Sequence, residues 1–259
     1  MDKYDPHSLA AIVLAGGKGT RMQATLPKVL HHIADQPMIF YTLDTVNQLG
    51  LSQVYVVVGH QSKEVRKRIS SKFKCKFAYQ PKPLGTGHAV ECALEKLDNK
   101  ISTILVLNGD DSAFYKISTL QKFITSHFEG KCPVSMMTLN INRNRRLGRI
   151  IRDEKGNFDK IVEAERDPEK GITSNEINCG LYVFNVAWIK ENIEKIKLSD
   201  KGEYYLTDIF NLAKAEGVYV NLFSLENEAE WVGVNTPDEL ILANKQMEKR
   251  LVKNKLIDV

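Results

Sequence analysis

The segment AAIVLAGGKGTRMQATLPK, residues 10–28, bears on fold and chemistry together. Ala10-Ala11-Ile12-Val13-Leu14 is short, apolar and β-prone, and reads as a buried strand. It runs straight into Gly16-Gly17-Lys18-Gly19-Thr20. Glycines let a backbone approach a ligand closely, and successive N–H groups in such a turn form a concave nest for anions. Arg21 and Lys28 add cationic side chains beside that nest. A strand ending in such a loop is suited to holding a polyphosphate. The loop lacks the spacing of a GxxxxGK[ST] phosphate loop, and it has neither a clean GxGxxG nor the paired acidic residue of a nicotinamide-binding unit.

The rest of the chain reads as further strand–loop–helix units. A helix is expected over 38–49, stopped by Gly50, and a second buried strand over 54–58, closed by Gly59. Residues 62–72 read as a helix with Ser62 as N-cap and Glu64 in its first turn. A short strand over 76–79, a helix over 88–97 and a strand over 101–107 follow, the last ending in Asn108-Gly109-Asp110-Asp111. This alternation predicts an α/β fold, a parallel sheet with helices on both faces. Ligands of such sheets sit outside the carboxyl ends of the strands. The glycine loop and the carboxylates after Leu107 are therefore expected to share one cleft. The second half is more mixed: strands over 133–139, 148–152, 161–163 and 180–184, a turn at Lys155-Gly156-Asn157, and helices over 186–195 and 205–215. A terminal helix over 237–253 carries Thr236 at N-cap, Pro237 at N1 and Glu239 at N3. Residues 1–8 read as a tail, 9–236 as the main domain and 237–259 as a helix and tail.

Composition narrows the function classes. With 43% hydrophobic and 26% charged residues, the 259-residue chain can bury a full core, which excludes a disordered polypeptide. A net charge of +4 is mild and suits an anionic small-molecule substrate rather than nucleic acid. The basic clusters over 63–68 and 143–146 have no interleaved aromatic residues to stack bases, and read as solvated faces. Cys75, Cys92, Cys132 and Cys179 form no CxxC pair and read as buried thiols in a reducing compartment. The N-terminus has no apolar core of a signal peptide, and no stretch approaches the roughly 20 apolar residues of a membrane span. A cytoplasmic protein without membrane partners is expected, a monomer or a weak homo-oligomer.

Asp110, beyond a buried strand, needs a partner if ionised. A magnesium ion bridging phosphate oxygens is one; a cap on the helix near Ser118 is another. Asp111 is a rival ligand, although strand alternation sends adjacent side chains to opposite faces. The loop Gln80-Pro81-Lys82-Pro83-Leu84-Gly85-Thr86-Gly87-His88 opens a helix. Gln80 has both an amide donor and an acceptor, suited to reading a nucleobase edge, while Thr86 could instead be an N-cap. His88 has no nucleophile partner in the sequence and reads as structural. Asn178 and Asn235, each near a glycine, suit sugar hydroxyls, a metal, or ordinary turns.

Taken together, LAGGKGTRM (14–22), LPKVLH (26–31), LGTGHA (84–89), NGD (108–110), GRI (148–150), IVE (161–163), EINCG (176–180), GEYYLTDI (202–209) and GVN (233–235) resemble the nucleotide-sugar pyrophosphorylase family, in family order along nearly the whole chain. Within it the set is most similar to the uridylyltransferase domain of bifunctional bacterial N-acetylglucosamine-1-phosphate uridylyltransferases. The resemblance implies a Rossmann-like, glycosyltransferase-A-type fold with a mixed, mostly parallel sheet. It implies transfer of UMP from UTP to N-acetylglucosamine-1-phosphate, with magnesium (Mg2+) as cofactor. Leu14, Ala15, Gly16 and Gly17 then contact the nucleotide; Gln80, Gly85 and Thr86 hold uracil; Arg21 and Lys28 are the catalytic cations. Asp110 and Asn235 are the metal ligands. Gly148, Glu163 and Asn178 hold the sugar, with Asn108 and Gly109 at its edge. The chain departs from the family at Asn108 (commonly aromatic), at Asp111 and Ser112 (commonly apolar, then proline), at Leu147 (aromatic) and at Cys179 (threonine). No acetyltransferase domain is read in these residues, so acetyl transfer is not expected. Another sugar-1-phosphate, or a non-catalytic nucleotide-sugar sensor, is the alternative.

Overall fold

The computed structural model describes residues 4–22, 24–141, 147–163 and 174–257, with side chains of the last helix described to Val252. Strand β1 (Leu9–Ala15) is followed by a small hairpin, β2 (His32–Ile33) and β3 (Gln36–Pro37), and by helix α1 (Met38–Gln48). Then come β4 (Gln53–Val58), α2 (Ser62–Ser70), β5 (Lys76–Tyr79), α3 (Gly85–Leu94) and β6 (Thr103–Asn108). The second half holds α4 (Ile117–Glu129), β7 (Val134–Asn140), β8 (Arg149–Arg152), β9 (Phe158–Val162), β10 (Glu176–Asn185), α5 (Val186–Asn192), α6 (Asp208–Ala215), β11 (Val220–Ser224) and α7 (Pro237–Ile257). The sheet runs β11-β7-β10-β6-β1-β4-β5, with β8 attached to β10 and β9 to β8. Along the main path only β10 opposes its neighbours, so the sheet is mixed and mostly parallel.

Strand β1 explains why its sequence is an unbroken apolar run: it is central and covered on both faces. Leu9, Ala11 and Val13 point into one core, with Ile39 and Leu43 of α1, Val65 and Ile69 of α2, and Phe123 of α4. Ala10 and Ile12 point into the other, with Val90 and Ala93 of α3, Ile189 of α5 and Phe210 of α6. A smaller cluster, including Met38, Phe114, Val234, Ala243 and Met247, fastens α7 to the body. Among the described residues no helix is long and apolar enough to cross a membrane.

Several boundaries differ from expectation. Helix α3 begins at Gly85 rather than His88, because the backbone of residues 84–87 is held by the loop around Tyr204. Gln61, in the left-handed region at φ 50°, precedes α2, and Ser62 is its first helical residue rather than its cap. Strand β10 passes unbroken through Asn178-Cys179-Gly180, with a register shift against β7 there, where the sequence suggested turn chemistry. Strand β11 and the β2–β3 hairpin were not anticipated; both are short and lack an alternating pattern. The start of α7 is as expected: Glu239 N–H donates to Thr236 Oγ1 at 3.2 Å, and the Glu239 carboxylate accepts from Asn235 N–H at 2.7 Å. The four cysteines are free; Cys132 and Cys179 are buried, Cys75 and Cys92 half-buried. Residues 63–68 lie on α2 with a mostly exposed face, while 143–146 fall outside the described residues.

His127 of α4 is buried, its Nδ1 2.7 Å from Ser135 Oγ on β7. Burial pushes its pKa from 6.5 down to about 4, so the neutral ring is the folded form. Because the folded value lies below the unfolded one, this stabilisation is full above about pH 6.5 and is lost as pH falls toward 4. The shift corresponds to about 3 kcal/mol. Urea denaturation of wild type and His127→Gln between pH 7 and 4 is expected to show the wild type losing about that much relative to the variant. A pH-independent difference would remove His127 as the acid-labile site.

Candidate functional site

Parallel pairing sets Leu14 of β1 opposite Asn108 of β6, and Gly109 N–H donates to the Leu14 carbonyl at 2.9 Å. The glycine loop and the acidic turn therefore emerge side by side into one cleft. Its first lobe, about 530 Å³, is walled by Leu14, the 16–21 loop, Lys28, Gln80, Gly85 and Thr86. Its second, about 760 Å³, is walled by Asp111, Gly148, Glu163, Asn178, Tyr182 and Thr207. Arg21, Asn108, Asp110 and Asn235 line both and mark the junction.

Charge is concentrated at that junction. The Lys28 ammonium is ion-paired with Asp110 Oδ2 and also donates to Asn235 Oδ1 at 2.8 Å; Arg21 donates to the same Asn235 oxygen at 3.0 Å. Asn235 is held by its backbone N–H bond to Glu239, so the cap of α7 aims its side chain into the cleft. A carboxylate oxygen and an amide carbonyl oxygen thus converge on one cation. Hard oxygen donors of this kind suit magnesium, which takes one or two protein ligands and completes its shell with phosphates and water. Among the described residues there is no cluster of three or more His, Cys, Asp or Glu that could hold a metal. Asp110 and Asn235 are the residues that could hold the ion. Asp110 caps no helix; the backbone N–H of Lys116, before α4, donates to Glu230 instead.

In the first lobe, Gly16 leaves room for Gln80: a Cβ there would lie 2.7 Å from Gln80 Oε1 and push it aside. Gln80 is buried and donates to the Gly85 carbonyl at 2.9 Å. Thr86 is not a cap; its hydroxyl accepts from Leu206 N–H at 3.0 Å, and Gly87 N–H donates to the Tyr204 carbonyl at 2.8 Å. Two expected contact residues sit elsewhere. Ala15, pointing into the core by strand alternation, and Gly109, packed beneath Leu14, do not line either lobe.

In the second lobe Gly148, Glu163 and Asn178 meet as expected: Asn178 N–H donates to the Gly148 carbonyl at 3.1 Å, and a Cβ at Gly148 would lie 3.2 Å from Glu163. Thr207 Oγ1 donates to Glu163 at 2.7 Å. Three of the departing residues form one cluster, in which Asn108 Nδ2 donates to Asp111 Oδ2 at 3.0 Å and Ser112 Oγ to Asp111 Oδ1 at 3.1 Å. Burial, and then the charge of Asp110, hold the Asp111 carboxyl well above the usual carboxylate range. Asp110 and Asp111 do not diverge: the strand ends at Asn108, and the turn after it opens both onto the cleft. Lys201, Glu203, Tyr205, Thr207 and Trp231 also line it, and sequence reading gave them no role. For Glu203, Tyr205 and Thr207 the signal was the GEYYLTDI motif, whose residues 202–207 precede α6.

A family model for nucleotidyl transferases matches residues 10–250. The chain belongs to the nucleotidyl transferase family. It is 37% identical over 246 residues to the bifunctional protein GlmU of Heliobacterium modesticaldum, covering 95% of this chain, and 34% identical over 243 residues to that of Trichlorobacter lovleyi, covering 93%. The chain spans about half the length of these relatives, 53% of each. A solved structure described as a glucose-1-phosphate thymidylyltransferase from Bacillus anthracis superposes with a TM-score of 0.76 at 20% identity, covering 92% of this chain and 94% of that one, and so shares the nucleotidyl transferase fold.

Gly180, at φ +71°, walls the second lobe, and a Cβ there would lie 2.2 Å from Asn108 Nδ2. Gly180→Ala is expected to lower stability by at least about 1 kcal/mol from the left-handed backbone alone. Urea denaturation measures it, and an unchanged midpoint would remove the left-handed backbone at Gly180 as a constraint on this position.

Proposed function

We propose that the protein forms UDP-N-acetylglucosamine and pyrophosphate from UTP and N-acetylglucosamine-1-phosphate. The observation that carries this is the convergence of Arg21, Lys28, Asp110 and Asn235 between two lobes of a nucleotidyl transferase cleft. The first lobe takes the nucleotide and the second the sugar. An oxygen of the sugar phosphate attacks the α-phosphorus in line; the new P–O bond forms as the bond to the β-phosphate oxygen breaks. The nucleophile is already an anion, so no general base is needed, and catalysis consists of positioning and charge neutralisation. Lys28 neutralises the α-phosphate and Arg21 the departing pyrophosphate. A magnesium ion held by Asp110 and Asn235 would supply further positive charge between the two phosphates.

A second reading, another sugar-1-phosphate, is favoured by the Asn108–Asp111–Ser112 cluster, which makes polar a part of the sugar lobe that is commonly apolar in the family. A panel of nucleoside triphosphates and sugar phosphates, scored by pyrophosphate release with magnesium, separates the two. UTP with N-acetylglucosamine-1-phosphate is expected to give the highest kcat/KM. UTP binding without pyrophosphate release from any pair would make the protein a sensor and overturn the proposal.

Arg21→Ala is expected to lower kcat by about 100-fold, the scale of losing one preorganised charge-stabilising donor. Wild-type turnover in that variant would remove Arg21 from the chemistry.

A further inference from the structure

Gln80 follows β5 and is buried at the floor of the first lobe. Its side-chain nitrogen has two hydrogens and its oxygen has none to give. One N–H donates to the Gly85 carbonyl at 2.9 Å; because a carbonyl only accepts, this contact decides which end of the amide is nitrogen. The other lies 3.2 Å from His88 Nδ1, on the first turn of α3. To accept it, Nδ1 must carry a lone pair, which places the ring proton on Nε2. That atom lies 3.7 Å from Cys92 Sγ one turn further on, a distance suited to a weak bond to sulfur. Both donors of Gln80 are thereby committed. Oε1 is left as an acceptor beside Gly16, where a Cβ would lie 2.7 Å from it.

We infer that His88 is a positioning residue, which locks the Gln80 amide so that the nucleotide lobe offers an acceptor to a pyrimidine base with an N–H at its pairing edge. The inference rests on the proposed use of this lobe for the nucleoside triphosphate. Uracil supplies that N–H at N3, and thymine shares it. Cytosine has a lone pair at N3, so it would set acceptor against acceptor and leave both unsatisfied on burial. A site built to accept a substrate N–H discriminates strongly against the analogue lacking it. Without His88 the amide keeps only the Gly85 contact, and turning it over to offer N–H to cytosine becomes cheaper.

The test compares wild type, His88→Phe and His88→Asn, whose Oδ1 can replace the ring Nδ1 as acceptor. For His88→Phe, KM for UTP is expected to rise about tenfold, with KM for the sugar phosphate unchanged and the UTP/CTP ratio of kcat/KM falling about tenfold. His88→Asn is expected to return both to within about threefold of wild type. An unchanged ratio, or equal losses for UTP and CTP, would overturn the inference. Nitrogen-15 NMR of the wild type with UTP bound needs no variant to fold: an Nε2–H tautomer at His88 supports the inference and an Nδ1–H tautomer overturns it. If the wild type transfers no nucleotide at all, the proposed reaction falls, while equilibrium binding of UTP and CTP to the same three proteins still decides the role of His88.

Discussion

The cleft depends on one pairing, that of β1 with β6 in the register that sets Leu14 against Asn108. Side chains alternate along a strand, so a one-residue slip would reverse every core contact of β1 at once. Its two sets, Leu9-Ala11-Val13 and Ala10-Ile12, are committed to different helix layers, which rules out such a slip. Because that register is fixed by packing, the glycine loop and the acidic turn are delivered to the same place without any contact being needed between them beyond the Gly109–Leu14 hydrogen bond.

What the register delivers is local charge rather than overall charge. A net +4 spread over 259 residues would do little for a polyphosphate. Lys28, largely buried with only 11% of its side chain exposed, sits where screening by water is reduced, and the exposed Arg21 reaches the same Asn235 oxygen. Asp110 and Asn235 hold these cations in place meanwhile, so the ammonium and guanidinium wait in position rather than being gathered when the ligand arrives. The second lobe is built differently. Glu163, Thr207, Asn178 and Tyr182 offer a web of neutral and acidic groups suited to hydroxyls, and phosphate has no obvious place among them.

The first half of the fold was legible in the sequence because its strands are buried on both faces and its helices repeat apolar residues at helical spacing. Ala10–Leu14, Val54–Val58 and the 38–49 helix all carry such patterns. The start of α7 was legible from its capping residues alone. Strand β11 was not, since Val220-Asn221-Leu222-Phe223-Ser224 mixes polar and apolar residues and is defined by its neighbour β7 rather than by its own pattern. At the candidate site, residues next to glycine turns were legible as lining one cleft, because backbone geometry leaves a mark in composition. Ala15 and Gly109 belong to motifs whose other members line the cleft, but they themselves pack against the body of the protein. His88 was set aside for lack of a nucleophile partner, and its real neighbours, Gln80 and Cys92, are apparent only once α3 begins at Gly85.

The cap of α7 has a consequence for the order of assembly. The last strand of the described sheet ends at Ser224, yet Asn235 is steered into the cleft only when Thr236 and Glu239 close the first turn of the helix behind it and Asn244 ties that helix to Ala34 at 2.6 Å. A chain emerging from the ribosome can therefore complete its sheet before it completes its anion site. The convergence of Arg21, Lys28, Asp110 and Asn235 thus arrives with α7, after the scaffold that carries the first three.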